Sequence, residues 1–180
     1  NIFLNDLNNL LKENPSVIIL PKSKKFDKKE KELILSWVSN GGLLIKFASN
    51  KSLYNKNIYL NSQNTSPSIR YLGGELSWEK DLSIKNFSDD SIFRSILIPK
   101  DIIIKKQLIF SKMDQVGIKI LAQLQDETPL ISMKEVGNGK VLLFHFTANN
   151  DWTNIPLSKI FSDFLSKALL LSKLQASNSK

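Results

Sequence analysis

Two short apolar runs, SVIIL at 16–20 and LLIKFA at 43–48, bracket a helix whose start and stop are both written in the sequence. Continuous rather than alternating hydrophobicity marks a strand covered on both faces, as in a parallel sheet. Between the runs, Asp27 offers an N-cap, and Glu30 three residues on completes a capping box. Leu33, Ile34, Trp37 and Val38 then form one apolar stripe. Asn40-Gly41-Gly42 ends the helix, because glycine takes the left-handed C-terminal conformation at little cost. Residues 16–48 therefore predict a β-α-β unit with a right-handed crossover. A chain built on such a unit has to cover both faces of a sheet.

The remaining segments extend this layout. Upstream, Ile2, Phe3, Leu7, Leu10 and Leu11 recur at helical spacing until Asn14-Pro15 stops them. Residues 49–75 are rich in Asn and Ser without a sustained period, which predicts a polar excursion with one short strand at 58–60. A short helix is expected near 91–96 and a strand over 101–110. A meander follows, with strands at 118–125, 130–136 and 141–146. In the first of these Ile118, Ile120, Ala122 and Leu124 share one face, and a GNGK hairpin joins the last two. Leu157, Ile160, Phe161, Phe164, Leu165, Ala168 and Leu169 mark a closing amphipathic helix with Pro156 in its first turn, and 176–180 reads as a frayed tail. The order predicts an α/β three-layer sandwich, a mostly parallel sheet with antiparallel edge strands, in one domain over 1–175.

Charge and composition narrow the partners. The net charge of +8 comes almost entirely from lysine, since Arg70 and Arg94 are the only arginines. Base reading and bidentate phosphate clamping favour arginine, so the lysines read as a solvated surface and not as a nucleic-acid footprint. The cluster KSKKFDKKEKE is mixed in sign. If it docks anywhere, an anionic membrane surface or a partner protein suits it. The absence of cysteine removes disulfides, thiolate metal sites and a thiol nucleophile. No apolar run reaches the ~20 residues that span a bilayer. The first residue is Asn1, so a piece of a longer protein is expected.

Candidate chemistry centres on FHFTANNDWTNIPLS at 144–158. His145 is the only imidazole. On an apolar strand it reads first as a core residue with a satisfied hydrogen bond, and second as a base partnered by Asp151. Asp151, Trp152 and Asn154 sit just past a strand end, where open α/β sheets bind ligands, and Glu75 and Trp78 are further ligand-binding candidates; the alternative function is a degenerate hydrolase or carbohydrate-binding enzyme using His145 and Asp151 with Ser77 or Glu75. Asp151, Thr153 or Asn154 equally serves as a helix cap, and Trp152 as core. No site for a metal or cofactor is expected. Asp89-Asp90 point apart on an extended chain, and residues 126–128 form a turn. The glycine pairs lack the strand–loop–helix order of phosphate loops. No small-molecule ligand is identifiable.

Taken together, FDKKEKELILSWVSNGGLLIKFA, LGGELSW, DDSIFRSILIPKDIIIKKQ, LAQLQDETPLI and EVGNGKVLLFHFTANNDWTNIPLSKIF resemble the glutamine-amidotransferase-like domain of large bacterial inner-membrane proteins that begin with an aerotolerance-regulator-type membrane segment. The resemblance spans roughly residues 4–172. It implies a class I, flavodoxin-like fold. True amidotransferases use a Cys-His-Glu triad. With no cysteine, and His145 at no triad position, the implied role is a non-catalytic binding or assembly module. The implied partners are other domains of the parent chain or envelope proteins. The implied setting is a membrane-anchored protein with this domain in the periplasm, or alternatively the cytoplasm.

Overall fold

The computed structural model describes residues 7–22, 26–54, 59, 67–72, 82–110 and 117–176. After a short first helix, α1 (Leu7–Lys12), the β-α-β unit forms as β1 (Val17–Leu20), α2 (Lys28–Ser39) and β2 (Leu43–Phe47). A 3-10 turn (Asn50–Tyr54) leads away from it. The ribbon β3 (Ser68–Tyr71) and β4 (Lys106–Ile109) follows, then β5 (Ile118–Gln123), β6 (Pro129–Val136) and β7 (Gly139–Phe144). A second 3-10 turn, Ile155–Leu157, leads into α3 (Lys159–Ala176).

The molecule is mixed α/β, with a five-stranded sheet in the order β1-β2-β7-β6-β5 and a separate β3-β4 ribbon. β1, β2 and β7 run parallel, whereas β7-β6 and β6-β5 are antiparallel. Half of the main-sheet pairings are thus antiparallel, more than the edge expected from the sequence. The meander supplies them, because hairpins join neighbours only in antiparallel fashion.

Helix α2 starts as its sequence dictates. Asp27 Oδ1 accepts from the Glu30 amide at 2.8 Å, and Glu30 Oε2 accepts from the Asp27 amide at 3.0 Å. Its end is tighter than a simple stop. Gly41 takes φ +113°, its amide donates to Val38 O, and the Gly42 amide donates to Trp37 O. The Trp37 ring lies over Gly42, where a β-carbon would fall 2.5 Å from a ring atom. Its Nε1 donates to Pro15 O at 2.9 Å. From the opposite side the β6–β7 hairpin presses in. A β-carbon on Gly139 would lie 1.8 Å from Val38 O, and the Asn138 amide donates to Ser39 O at 2.9 Å.

Two apolar clusters occupy the two faces of the sheet. Leu43, Ile45, Phe47, Leu142, Phe144 and Phe146 meet one face of α3, where Ile160, Phe164, Ala168 and Leu171 are buried. Aromatic contacts dominate there: Phe47 stacks on Phe144 at 4.6 Å, and Phe93 meets Phe164 edge-on at 4.9 Å. The alternate residues Leu44, Val141 and Leu143 face Ile34, Trp37 and Val38 of α2 and Leu108 and Phe110 at β4.

Several expectations are corrected. Residues 91–96 form turns and not a helix. The strand expected over 101–110 shortens to Lys106–Ile109 and pairs with β3, outside the main sheet. That region is held by Lys105 and Lys106 amides donating to Trp152 O, an acceptor far away in sequence. The single face read for 118–124 breaks at a bulge between Ile120 and Ala122, which puts the consecutive Leu121 and Ala122 into the same cluster. The strand expected at 58–60 lies, apart from Tyr59, outside the described residues, as do the ends 1–6 and 177–180.

The backbone approach at Gly139 gives a direct test. Gly139→Ala pushes a methyl group into Val38 O, and we expect a loss of about 3 kcal/mol or more in urea unfolding. Gly117→Ala, with φ +73° and nothing within 4 Å, should cost only about 1 kcal/mol.

Candidate functional site

The end of β7 carries His145 into the interior, and the residue is fully buried. Its Nδ1 lies 2.6 Å from Leu108 O, a carbonyl that can only accept, so Nδ1 carries the proton. Nε2 is then the acceptor, 2.6 Å from Ser132 Oγ of β6. Ser132 Oγ in turn lies 2.5 Å from the Tyr59 hydroxyl. The protons therefore run one way: Tyr59 to Ser132, Ser132 to His145, His145 to Leu108. The Leu108 amide closes the pair by donating to His145 O at 2.8 Å. The Phe110 ring stands edge-on to the imidazole at 5.5 Å.

Burial is the main electrostatic influence on this cluster. Loss of solvent pushes His145 down to about 4, opposed in part by its bond to Leu108. Burial drives the Tyr59 hydroxyl well above its ordinary value, against the smaller effect of Ser132. Lys46 of β2, also buried, is lowered to about 8 by desolvation. Such a histidine is neutral at pH 7 with both nitrogens engaged, and offers no lone pair to a substrate.

Asp151 is exposed and lies apart from the imidazole's partners: its Oδ2 accepts from the Asn149 side chain at 2.8 Å. The His145–Asp151 pair considered as a catalytic alternative is thus not formed. Trp152 is buried in the α2-side cluster. Asn154 works as a staple. Its Oδ1 accepts from the Ile103 amide and its Nδ2 donates to Asp101 O, each at 2.8 Å. The helical cap role falls to Thr153, whose Oγ1 accepts from the Ile155 amide, while Asn154 caps nothing with its side chain. Glu75, Ser77 and Trp78 lie outside the described residues.

Sequence reasoning passed over Ser132, Tyr59 and the Leu108 carbonyl. Ser132 had one available signal, a small polar residue amid the apolar run of β6. Asp126 is partly desolvated, but the Arg70 guanidinium and Thr128 outweigh that and hold its carboxyl below the ordinary value. That ion pair fastens β3 to the turn between β5 and β6. Among the described residues no three His, Asp or Glu groups converge as metal ligands. A shallow groove of about 790 Å³ lies at the other end of the sheet, lined by Asn40, Gly41, Gly42 and the hairpin residues 137–140.

No protein-family model matches the chain. No curated protein sequence matches it either. Among solved structures it is similar to the cytoplasmic protein STM3548 from Salmonella typhimurium, with a TM-score of 0.64, 13% identity and coverage of 97% of this chain and 76% of that one. It is also similar to the cytoplasmic protein STM1381 from Salmonella typhimurium LT2, with a TM-score of 0.55, 14% identity and coverage of 90% and 71%. At that identity the likeness concerns the fold alone. The resemblance to amidotransferase-like domains of inner-membrane proteins is thereby corrected. No family model supports it, and these fold neighbours are described as cytoplasmic proteins. No described helix is long and apolar enough to cross a membrane.

The buried imidazole makes stability depend on acid. Its proton affinity is lower folded than unfolded, so the unfolded chain binds more protons as pH falls from about 6.5 to about 4. The stabilisation is fully present above that window and lost across it, amounting to about 3 kcal/mol. Urea unfolding between pH 7 and 4 should show this loss, and Asp151→Asn should leave stability within about 0.5 kcal/mol.

Proposed function

We propose that this chain is a non-catalytic binding or assembly module whose partner is another protein surface, either a further domain of a longer parent chain or a separate chain. One observation carries the reading: the sole imidazole spends both nitrogens on buried internal acceptors and donors, away from Asp151. Asp151 itself has a neighbouring asparagine for a partner, and Trp152 and Asn154 hold the backbone together. A sheet with an apolar cluster on each face suits a three-layer packing, with α1, α2 and the β3-β4 ribbon on one side and α3 on the other. The cytoplasm is the simpler compartment to propose, in line with the two fold neighbours, both cytoplasmic proteins of Salmonella.

Two assays separate this reading from its rivals. Purified protein offered chromogenic ester, phosphate monoester and β-glycoside substrates should show no turnover above buffer. Turnover abolished by Asp151→Ala would overturn the non-catalytic reading in favour of a hydrolase. The exposed lysines of α2 alternate with Glu30 and Glu32, so no strong single-sign patch faces a membrane from that helix. Sedimentation with phosphatidylserine vesicles at physiological salt should leave the protein in the supernatant, and pelleting that fades with salt would replace the protein partner with an anionic lipid surface.

A further inference from the structure

The hydrogen-bond chain at His145 joins four parts of the molecule that are far apart in sequence. Tyr59 comes from the stretch between β2 and β3, Ser132 from β6, His145 from the end of β7 and Leu108 from β4. Buried ties of the β3-β4 ribbon to the main sheet include Gln107 Nε2, which donates to Pro129 O at 2.8 Å, and Leu108, which both donates to His145 O and accepts from Nδ1. Leu108 is itself fully buried, and Phe110 sits against the ring.

We propose that the Tyr59–Ser132–His145–Leu108 chain is a latch that holds the β3-β4 ribbon against the sheet and opens when the imidazole gains a second proton. The physical basis is the order of the protons. In the closed state every donor faces an acceptor and the Leu108 carbonyl terminates the series. A proton on Nε2 turns that nitrogen into a donor aimed at Ser132 Oγ. Ser132 can accept it, but its own hydrogen then loses its acceptor, and the Tyr59 hydroxyl already points at the same oxygen. A buried donor is stranded, and a cation is placed among Phe110, Leu108 and Leu143.

The titratable surroundings give this cation little relief. β2 presents Lys46, buried on the same face. β6 presents Lys134, two residues beyond Ser132, and Tyr59 supplies a neutral hydroxyl. On β4 the Lys106 ammonium lies over the Tyr71 ring, 5.2 Å from its centre. On α2 the half-buried Glu30 is bonded to the Asp27 amide. Neither ring nitrogen is hydrogen-bonded to a carboxylate, since Ser132 and Leu108 occupy both. Separating Leu108 and Tyr59 from the ring lets water solvate the imidazolium, and that separation lifts the ribbon.

Because the histidine is unique, it can be observed without ambiguity. Nitrogen-15 NMR of the intact chain at pH 7 should show Nδ1 protonated and Nε2 as the bare nitrogen. The opposite tautomer would overturn the proton order on which the latch depends. Hydrogen exchange followed by mass spectrometry, corrected for intrinsic rates, should show β4 amides gaining at least tenfold more opening between pH 7 and pH 4 than β2 and β7 amides, which open only with the loss of overall stability. In His145→Gln, which keeps a donor and an acceptor but does not ionise, that acid step should vanish. An equal gain of opening in β4 and β2, or an acid step that survives in His145→Gln, contradicts the latch. If His145→Gln does not fold, the wild-type tautomer and the order of opening still decide the matter.

Discussion

Two backbones approach each other at the end of α2 more closely than a β-carbon allows, and most of the sheet takes its arrangement from that approach. Gly139 packs under Val38 O, and Gly42 lies under the Trp37 ring. Because the hairpin seats there, β7 enters the sheet beside β2, with Leu43 opposite Lys140 and Phe47 opposite Phe144. The register then fixes orientation, since a strand's residues alternate between faces. Leu142, Phe144 and Phe146 go to the α3 side, and Val141, Leu143 and His145 go to the α2 side. The one histidine is therefore turned inward by a contact at the opposite end of its strand.

Once inside, the imidazole needs partners, because an unsatisfied buried ring nitrogen costs a few kcal/mol. It finds them in a serine, itself bonded to a tyrosine, and in a main-chain carbonyl. The same bonds tether the β3-β4 ribbon, so stability and local opening are tied to one protonation event. This is a polar core element serving architecture. It also removes from the surface the only imidazole in the chain.

The β-α-β unit, the capping box, the GNGK hairpin and the buried Ile160, Phe164 and Ala168 of the α3 stripe were legible in the sequence, because each is a local signal, a period, a cap or a turn; Pro156 and the exposed Leu157 instead lie in the 3-10 turn before the helix, and Leu169 is exposed. The fate of residues 91–110 was not. Their apolar residues read as helix and strand, but the amides of Ser91, Arg94 and Ile96 close short local turns, and those of Ile103, Lys105, Lys106 and Leu108 go to Asn154, Trp152 and His145, a long-range competition that no window of sequence shows. The β5 bulge was hidden for the same reason, since alternation alone cannot count an extra residue. At the site, the placement of Asp151, Trp152 and Asn154 past a strand end suggested a ligand, whereas Asn154 binds the 101–103 backbone. The motifs that carried the family resemblance, W-V-x-x-G-G and G-N-G-K, are largely residues that this packing demands: Trp37 over Gly42, Gly139 under Val38. Shared packing needs explain why such a pattern looks specific without marking a shared activity.

The sealed state of His145 is the claim on which this account of the protein stands, and its chemical accessibility measures it directly. Diethyl pyrocarbonate acylates solvent-reachable neutral imidazole and leaves an absorbance change that reports it. Native protein at pH 7 should remain essentially unmodified at the histidine and react fully once unfolded in urea. Rapid, stoichiometric acylation of the folded chain, at the rate of an open imidazole, would contradict the account.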